Sequence, residues 1–234
     1  QRLPGPGSGC ALRGRSGPLT RFRPAAPQAA SARRGPQEPS ISRFLLEWTR
    51  VTDERVLPRL LIVEAQRGQP ATRGFSALAL ALAVRGARAG GVPSTASAFV
   101  PEATAVLREG VSAKRSDVLI RGAFAVAVGV AGMRDAVDTM RALVEDTRAP
   151  TPLRGYAAVG LGHLGVRARD VERSLRLALV EKHEEGLRRD AALALAMLGG
   201  RSVTTTLLKE LDRGGTEQLF GEVVVALGVL GDLG

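Results

Sequence analysis

The sequence predicts an all-α fold, an α-solenoid of antiparallel helix pairs with a disordered N-terminal tail. Three observations carry that expectation. The chain resembles itself at offsets of 33, 34 and 32 residues, the signature of a repeat array. Its apolar residues recur at helical spacing, with no convincing alternation of period two. Its texture changes near Ser40, where a Pro/Gly/Arg-rich stretch gives way to Ala/Leu/Val-rich segments. A hydrophobic fraction of 44 % over 234 residues argues against global disorder.

Residues 1–39 form the first region. They contain Pro4, Pro6, Pro18, Pro24, Pro27, Pro36 and Pro39, six glycines and one acid, Glu38. Such a segment buries too little apolar area to offset its chain entropy, so a disordered tail or linker is expected. An Arg-rich, nearly acid-free composition is also that of an organellar transit peptide. The chain starts at Gln1 rather than Met, so localisation stays open between cytoplasmic, organellar and exported forms.

The repeat domain is expected over residues 40–234. An opening helix pair spans 41–67, with Phe44, Leu45 and Trp48 on its first helix. Leu57, Leu60, Leu61 and Val63 mark the second, where Pro58 is placed to kink or restart it. Repeats follow at about 71–110, 116–147, 151–181 and 185–212, with a partial one at 216–234. The self-similarity is plainest where Ile120–Gly132, Leu153–Gly165, Leu187–Gly199 and Leu219–Gly231 fall into register. Arg73–Ala83 is an earlier copy.

Each repeat reads as two helices. The first is apolar nearly all round and rich in Ala and Gly, which suits a helix buried on several sides. Ser116 with Asp117, and Thr151 with Pro152, are start signals. Gly132, Gly165, Gly199 and Gly231 stand where left-handed C-caps are expected. The second helix is amphipathic. In Arg134–Asp146 the stripe is Ala136, Val137, Met140, Leu143 and Val144; in Asp170–Glu181 it is Val171, Leu175, Ala178 and Leu179. In Val203–Leu211 it is Val203, Leu207 and Leu211. The last unit stops at Asp232-Leu233-Gly234, directly after its first helix. Solenoids end in polar-faced caps, so truncation at the C-terminus is expected.

The stretch Leu187-Arg188-Arg189-Asp190-Ala191-Ala192-Leu193-Ala194-Leu195-Ala196-Met197-Leu198-Gly199-Gly200, followed by a helix ending Leu207-Leu208-Lys209-Glu210-Leu211, resembles a HEAT repeat. It is most similar to the short subclass first noticed in phycobilisome lyases, and the resemblance covers roughly residues 70–234. It implies an armadillo-like α-solenoid. It also implies that an arginine near the start of each first helix ties adjacent repeats through a carboxylate. Arg121, Arg154 and Arg188 match that position, and Phe220 departs from it. The resemblance says little about activity.

No constellation in the sequence argues for catalysis, a cofactor or a metal. His163 and His183 are the two histidines. His163 is expected to pack within its first helix, and His183 to sit in a solvated turn. The single cysteine, Cys10, lies in the tail, which excludes an intrachain disulfide and a multi-cysteine zinc site. No apolar run approaches the length of a spanning helix. Related folds include bilin lyases and DNA glycosylases. The glycosylase type needs aromatics along a basic groove, and here Trp48 is the one Trp and Tyr156 the one Tyr.

The net charge of +10 invites a nucleic-acid reading. Eight arginines and one acid fall within residues 1–43, however, and the repeats are close to balanced. The expected function is a non-catalytic scaffold that binds protein partners through an extended concave face lined by the second helices. Candidate residues for that face are Arg134, Asp138, Arg141, Arg173, Arg176 and Lys209. Nucleic-acid binding through the tail and these arginines is the alternative, and a bilin-lyase-like enzyme a weaker one.

Overall fold

A computed structural model describes residues 56–90, 98–114, 116–213 and 216–232. The chain divides into two units, residues 1–41 and 42–234, and every described residue lies in the second. The expected tail, Cys10, and the opening helix with Phe44, Leu45 and Trp48 lie outside the described residues.

The described residues form ten α-helices and no strand. They are α1 (Val56–Arg67), α2 (Pro70–Arg88), α3 (Val100–Ser112), α4 (Val118–Val130) and α5 (Val137–Glu145). Then come α6 (Thr151–Leu164), α7 (Arg169–Leu179), α8 (Glu185–Leu198), α9 (Arg201–Asp212) and α10 (Glu217–Asp232). A 3₁₀ turn, Arg134–Ala136, leads into α5. The even-numbered helices are the first helices of the repeats, and each packs against the next to make a single row. Each odd-numbered helix packs on the row helix that follows it, from α1 on α2 to α9 on α10. The result is an all-α solenoid in two layers, packed neighbour to neighbour.

Small residues make the row possible. A Cβ placed on Gly129 of α4 would lie 2.2 Å from the carbonyl oxygen of Gly160 on α6. One on Gly162 would lie 2.9 Å from Cα of Ala194 on α8. The two backbones approach so closely that no side chain fits between them. Larger side chains fill the space between the layers. Phe124, Leu80, Leu161, Leu195, Leu175 and Met140 are each at most 1 % exposed.

The register of the row repeats one contact. The residue after each register arginine is Gly74, Gly122 or Gly155 in the first three copies. Each faces the residue two places after the arginine of the next row helix: Ala123, Tyr156 and Asp190 in turn. At Gly122 a Cβ would lie 2.1 Å from the Tyr156 ring. Burial pushes the Asp190 carboxyl up, opposed by Arg189 and reinforced by Glu222.

Helix ends agree with the sequence at some points and differ at others. Asp117 caps α4, accepting from the Leu119 amide at 2.7 Å. Gly132, Gly165 and Gly199 all have φ between +64° and +74°, and Gly165 is a left-handed C-cap. Gly231 is not a cap, because α10 runs through it to Asp232. The N-cap of α6 is Pro150 rather than Thr151, so Pro152 stands at the second helical position. There its missing N–H costs no helical bond. On α1 the buried residues are Pro58, Leu61, Ile62 and Ala65, while Leu60 and Val63 are exposed. Of the expected residues Leu61 is buried and Leu57 packs against the core, Ile62 and Ala65 complete the stripe, and Pro58 sits harmlessly in the first turn. His163 is exposed on α6, not packed as expected. Partial burial and the Arg85 charge hold its pKa below the usual imidazole range. His183 is in an exposed turn with φ +65°.

The register arginines join the two layers. Arg73, Arg121, Arg154 and Arg188 each donate from Nε to a last-turn carbonyl of the preceding odd-numbered helix. The acceptors are Ala65, Val111, Val144 and Leu179, at 3.1, 3.2, 2.9 and 3.2 Å. These carbonyls have no intrahelical partner, and they form the negative end of the helix dipole. Two arginines also grip a carboxylate of their own repeat. Arg154, 4 % exposed, holds Glu181 in a bidentate pair at 2.8 and 2.6 Å. Arg188 bonds the buried Glu210, whose other oxygen accepts from Arg213 at 3.0 Å.

Two outcomes follow. Leu195→Ala should lower stability by about 2–5 kcal/mol, whereas Leu177→Ala at a position 60 % exposed should stay within about 0.5 kcal/mol; urea unfolding of both checks the layer assignment. The Arg154 guanidinium holds the Glu181 carboxyl below the usual carboxylate range, against the opposing effect of burial. A carboxyl depressed in the fold stabilises it above the unfolded pKa and ceases to as pH falls through the folded pKa. The wild type should therefore melt above Glu181→Gln at neutral pH, and the gap should close between about pH 5 and pH 2.

Candidate interaction surface

The odd-numbered helices carry the charges that the row cannot accommodate. Helix α7 divides most cleanly. Val171, Ser174, Leu175, Ala178 and Leu179 face the core. The opposite face carries Arg169, Glu172, Arg173, Arg176 and Leu177, which line an open cleft of about 370 Å³. Spacing produces this arrangement. Residues 169, 173 and 176 stand at i, i+4 and i+7, one stripe of a 3.6-residue helix.

The guanidinium groups along the cleft are not equivalent. Arg176 bonds Glu172 through Nη2 at 2.6 Å and Nε at 3.1 Å. Glu172 also accepts from Ser202 on α9 at 3.0 Å. Arg176 above all holds the Glu172 carboxyl below the usual carboxylate range, with Ser202 adding to the effect. Arg169 and Arg173 are exposed, and neither has an ion-pair partner among the described residues. Beside them stand Leu177, 60 % exposed, and Val180, 42 % exposed. The cleft thus offers two unneutralised cations, one cation fixed by a neighbour, and an apolar wall.

Similar links join other repeats on this surface. Arg141 of α5 bridges to Asp170 of α7 at 3.3 Å and to Asp138 of its own helix at 3.2 Å. With both terminal nitrogens so used, its Nε is buried without a partner among the described residues. Ser174 donates to Glu145 across α7 and α5, and Arg108 of α3 pairs with Asp135.

Of the six candidates from the sequence, the structure brings Arg173 and Arg176 into one cleft. Asp138 and Arg141 are engaged with each other, and Arg141 also with Asp170 of the next repeat. Arg134 and Lys209 are exposed, the first in the turn before α5 and the second on α9, and neither lines the cleft. Arg169, Glu172 and Leu177 were not anticipated, although the i, i+4, i+7 spacing of the three arginines is readable in the sequence. Among the described residues no three His, Cys, Asp or Glu side chains converge as a metal site would require. No described helix is long and apolar enough to cross a membrane. No protein-family model matches the sequence, and no curated protein is significantly similar to it.

Proposed function

We propose that the chain is a HEAT-like repeat scaffold without catalytic activity of its own, and that it binds protein segments along the surface of its odd-numbered helices. The α7 cleft is the primary contact. Among the described residues Arg169 and Arg173 have no counter-ion, Leu177 supplies exposed apolar area in the cleft, and Val180 is exposed just after the end of α7. That combination favours an acidic segment carrying an apolar side chain. The carboxylates meet the guanidinium groups in charge-assisted hydrogen bonds, and the apolar group covers Leu177. Arg176, fixed by Glu172, orients the approach rather than contributing net charge.

The observation that carries this reading is the pairing of unneutralised arginines with exposed leucine on a helix whose other face is fully committed to the core. HEAT-type solenoids bind through extended helical faces, which agrees with it. An Arg169→Glu, Arg173→Glu double variant tests it. Binding to acidic, leucine-containing peptides, measured by fluorescence anisotropy at low salt, should weaken at least tenfold with an unchanged melting temperature. Equal binding by both proteins would sink the proposal. Preference for an oligonucleotide of matched charge, with a salt slope proportional to phosphates contacted, would favour a nucleic-acid reader instead.

A further inference from the structure

The register arginine of the first repeat lacks the carboxylate that the third repeat supplies to its own. In the third repeat Leu179 offers its carbonyl to the next register arginine. Glu181 stands two residues beyond Leu179 and closes on Arg154 as a fork, with Nη1 and Nη2 at 2.8 and 2.6 Å. The corresponding acceptors in the second and first repeats are Val144 and Val111. The places two residues beyond them are held by Asp146 and Ala113. Asp146 is turned to Arg148, accepting from its amide at 3.0 Å and pairing with its guanidinium at 3.6 Å. Ala113 has no carboxylate to offer.

Arg73 is therefore half engaged. Its Nε donates to the Ala65 carbonyl at 3.1 Å, and no carboxylate among the described residues pairs with it. Arg73 and Ala113 line one cleft of about 300 Å³, whose walls are all described residues. That volume is at the lower end of small-molecule sites, which run from about 300 to 1,000 Å³. Val106 and Phe124, 4 % and 1 % exposed, give the cleft an apolar floor. A Cβ on Gly110 would lie 2.2 Å from the Phe124 ring, so the ring reaches the cleft because glycine stands there. Arg67 adds a second cation, and Glu109 is the one acid in the lining. Two guanidinium groups against one carboxylate match one further negative charge and disfavour a dianion.

We propose that this cleft binds a small monocarboxylic acid, its carboxylate forked on Arg73 as Glu181 is forked on Arg154 and its aliphatic part over Val106 and Phe124. The division of labour on the guanidinium is the same in both repeats. Nε is committed to a helix-end carbonyl, and the two terminal nitrogens present the planar fork that a carboxylate matches. The ligand thus supplies from solution the group that the third repeat carries in its own chain. Bound there, it joins Arg73 of α2 to the end of α3 and stabilises the fold in proportion to its occupancy. The site is separate from the α7 cleft and takes a free acid rather than a chain segment.

Titration of the isotope-labelled 234-residue chain with butyrate, followed by amide NMR, tests this. Butyrate should shift the amides of residues 65–67 and 110–113 saturably and one to one, and butyramide at the same concentrations should not. Arg73→Lys keeps the charge but loses the fork, and should bind about tenfold more weakly. Ala113→Glu installs the carboxylate within the chain; it should melt above the wild type and no longer respond to butyrate. Ala113→Leu fills the place without charge; it should lose the response without the gain in melting temperature. A wild type that shows no saturable shift with butyrate overturns the proposal, and that result needs no variant to fold. Equal shifts with butyramide overturn it in favour of an apolar pocket, and tighter binding of inorganic phosphate overturns it in favour of a general anion site. Tighter binding of acetyl-Leu-Val with a free C-terminus overturns the free acid in favour of a chain end. Equal melting temperatures for Ala113→Glu and Ala113→Leu overturn the register argument on which the proposal stands.

Discussion

The close approach of successive row helices is the constraint on which the rest of the structure depends. Gly129 of α4 lies against the backbone of Gly160 on α6, and Gly162 against Ala194 on α8. At that separation only glycine fits at positions 129 and 162. Glycine accordingly stands at 122, 129, 155, 160 and 162, each against a neighbouring row helix. Glycine within a helix costs about 0.5–1 kcal/mol relative to Ala, a cost offset here by close contact between helices. The larger residues are then confined to the space between the layers, where Phe124, Leu161 and Leu195 lie.

A tight row does not by itself place the outer layer. The register arginines do so. Each Nε reaches a carbonyl that its helix could not satisfy, and Arg154 and Arg188 add a carboxylate. Each of these two guanidinium groups thereby touches the preceding odd-numbered helix and its own repeat at once. The odd-numbered helices, held from within, keep their outward faces for other work. On α7 that face carries the arginine cleft, and the links from Arg141 to Asp170 and from Ser202 to Glu172 set its neighbours on both sides. The residues that build the cleft are in part those that join the repeats.

Much of this was legible in the sequence. The repeat register located the row helices, the position of the arginine tie and the amphipathic stripes of α5, α7 and α9. Local chemistry located the cap at Asp117 and the turns at Gly132, Gly165 and Gly199. Three of the readings that failed have a plain physical reason. Leu60 and Val63 look apolar enough for the core, but the face of α1 is chosen by α2 and α3. His163 lies in an apolar helix, yet it is exposed there and only partly desolvated. Gly231 has the sequence of a cap, but α10 continues through it. The charged patch could be placed on the odd-numbered helices, but which charges are neutralised depends on contacts between repeats. Glu172 stands four places before Arg176 on α7, a pairing that helical spacing makes readable, whereas the pairing of Arg141 with Asp170 crosses repeats and has no periodic signal.

The central claim is that a glycine in the row is required by its downstream neighbour and not by its own helix. Gly129 and Gly228 occupy the same register place, one against Gly160 and the other against nothing within 4 Å. Alanine at each, followed by urea unfolding, compares them directly. The account predicts opposite signs. Gly129→Ala should lose about 1–3 kcal/mol through overpacking, while Gly228→Ala should gain about 0.5–1 kcal/mol through helix propensity. Equal gains at both positions would show that the row helices do not approach as closely as described, and would contradict the account.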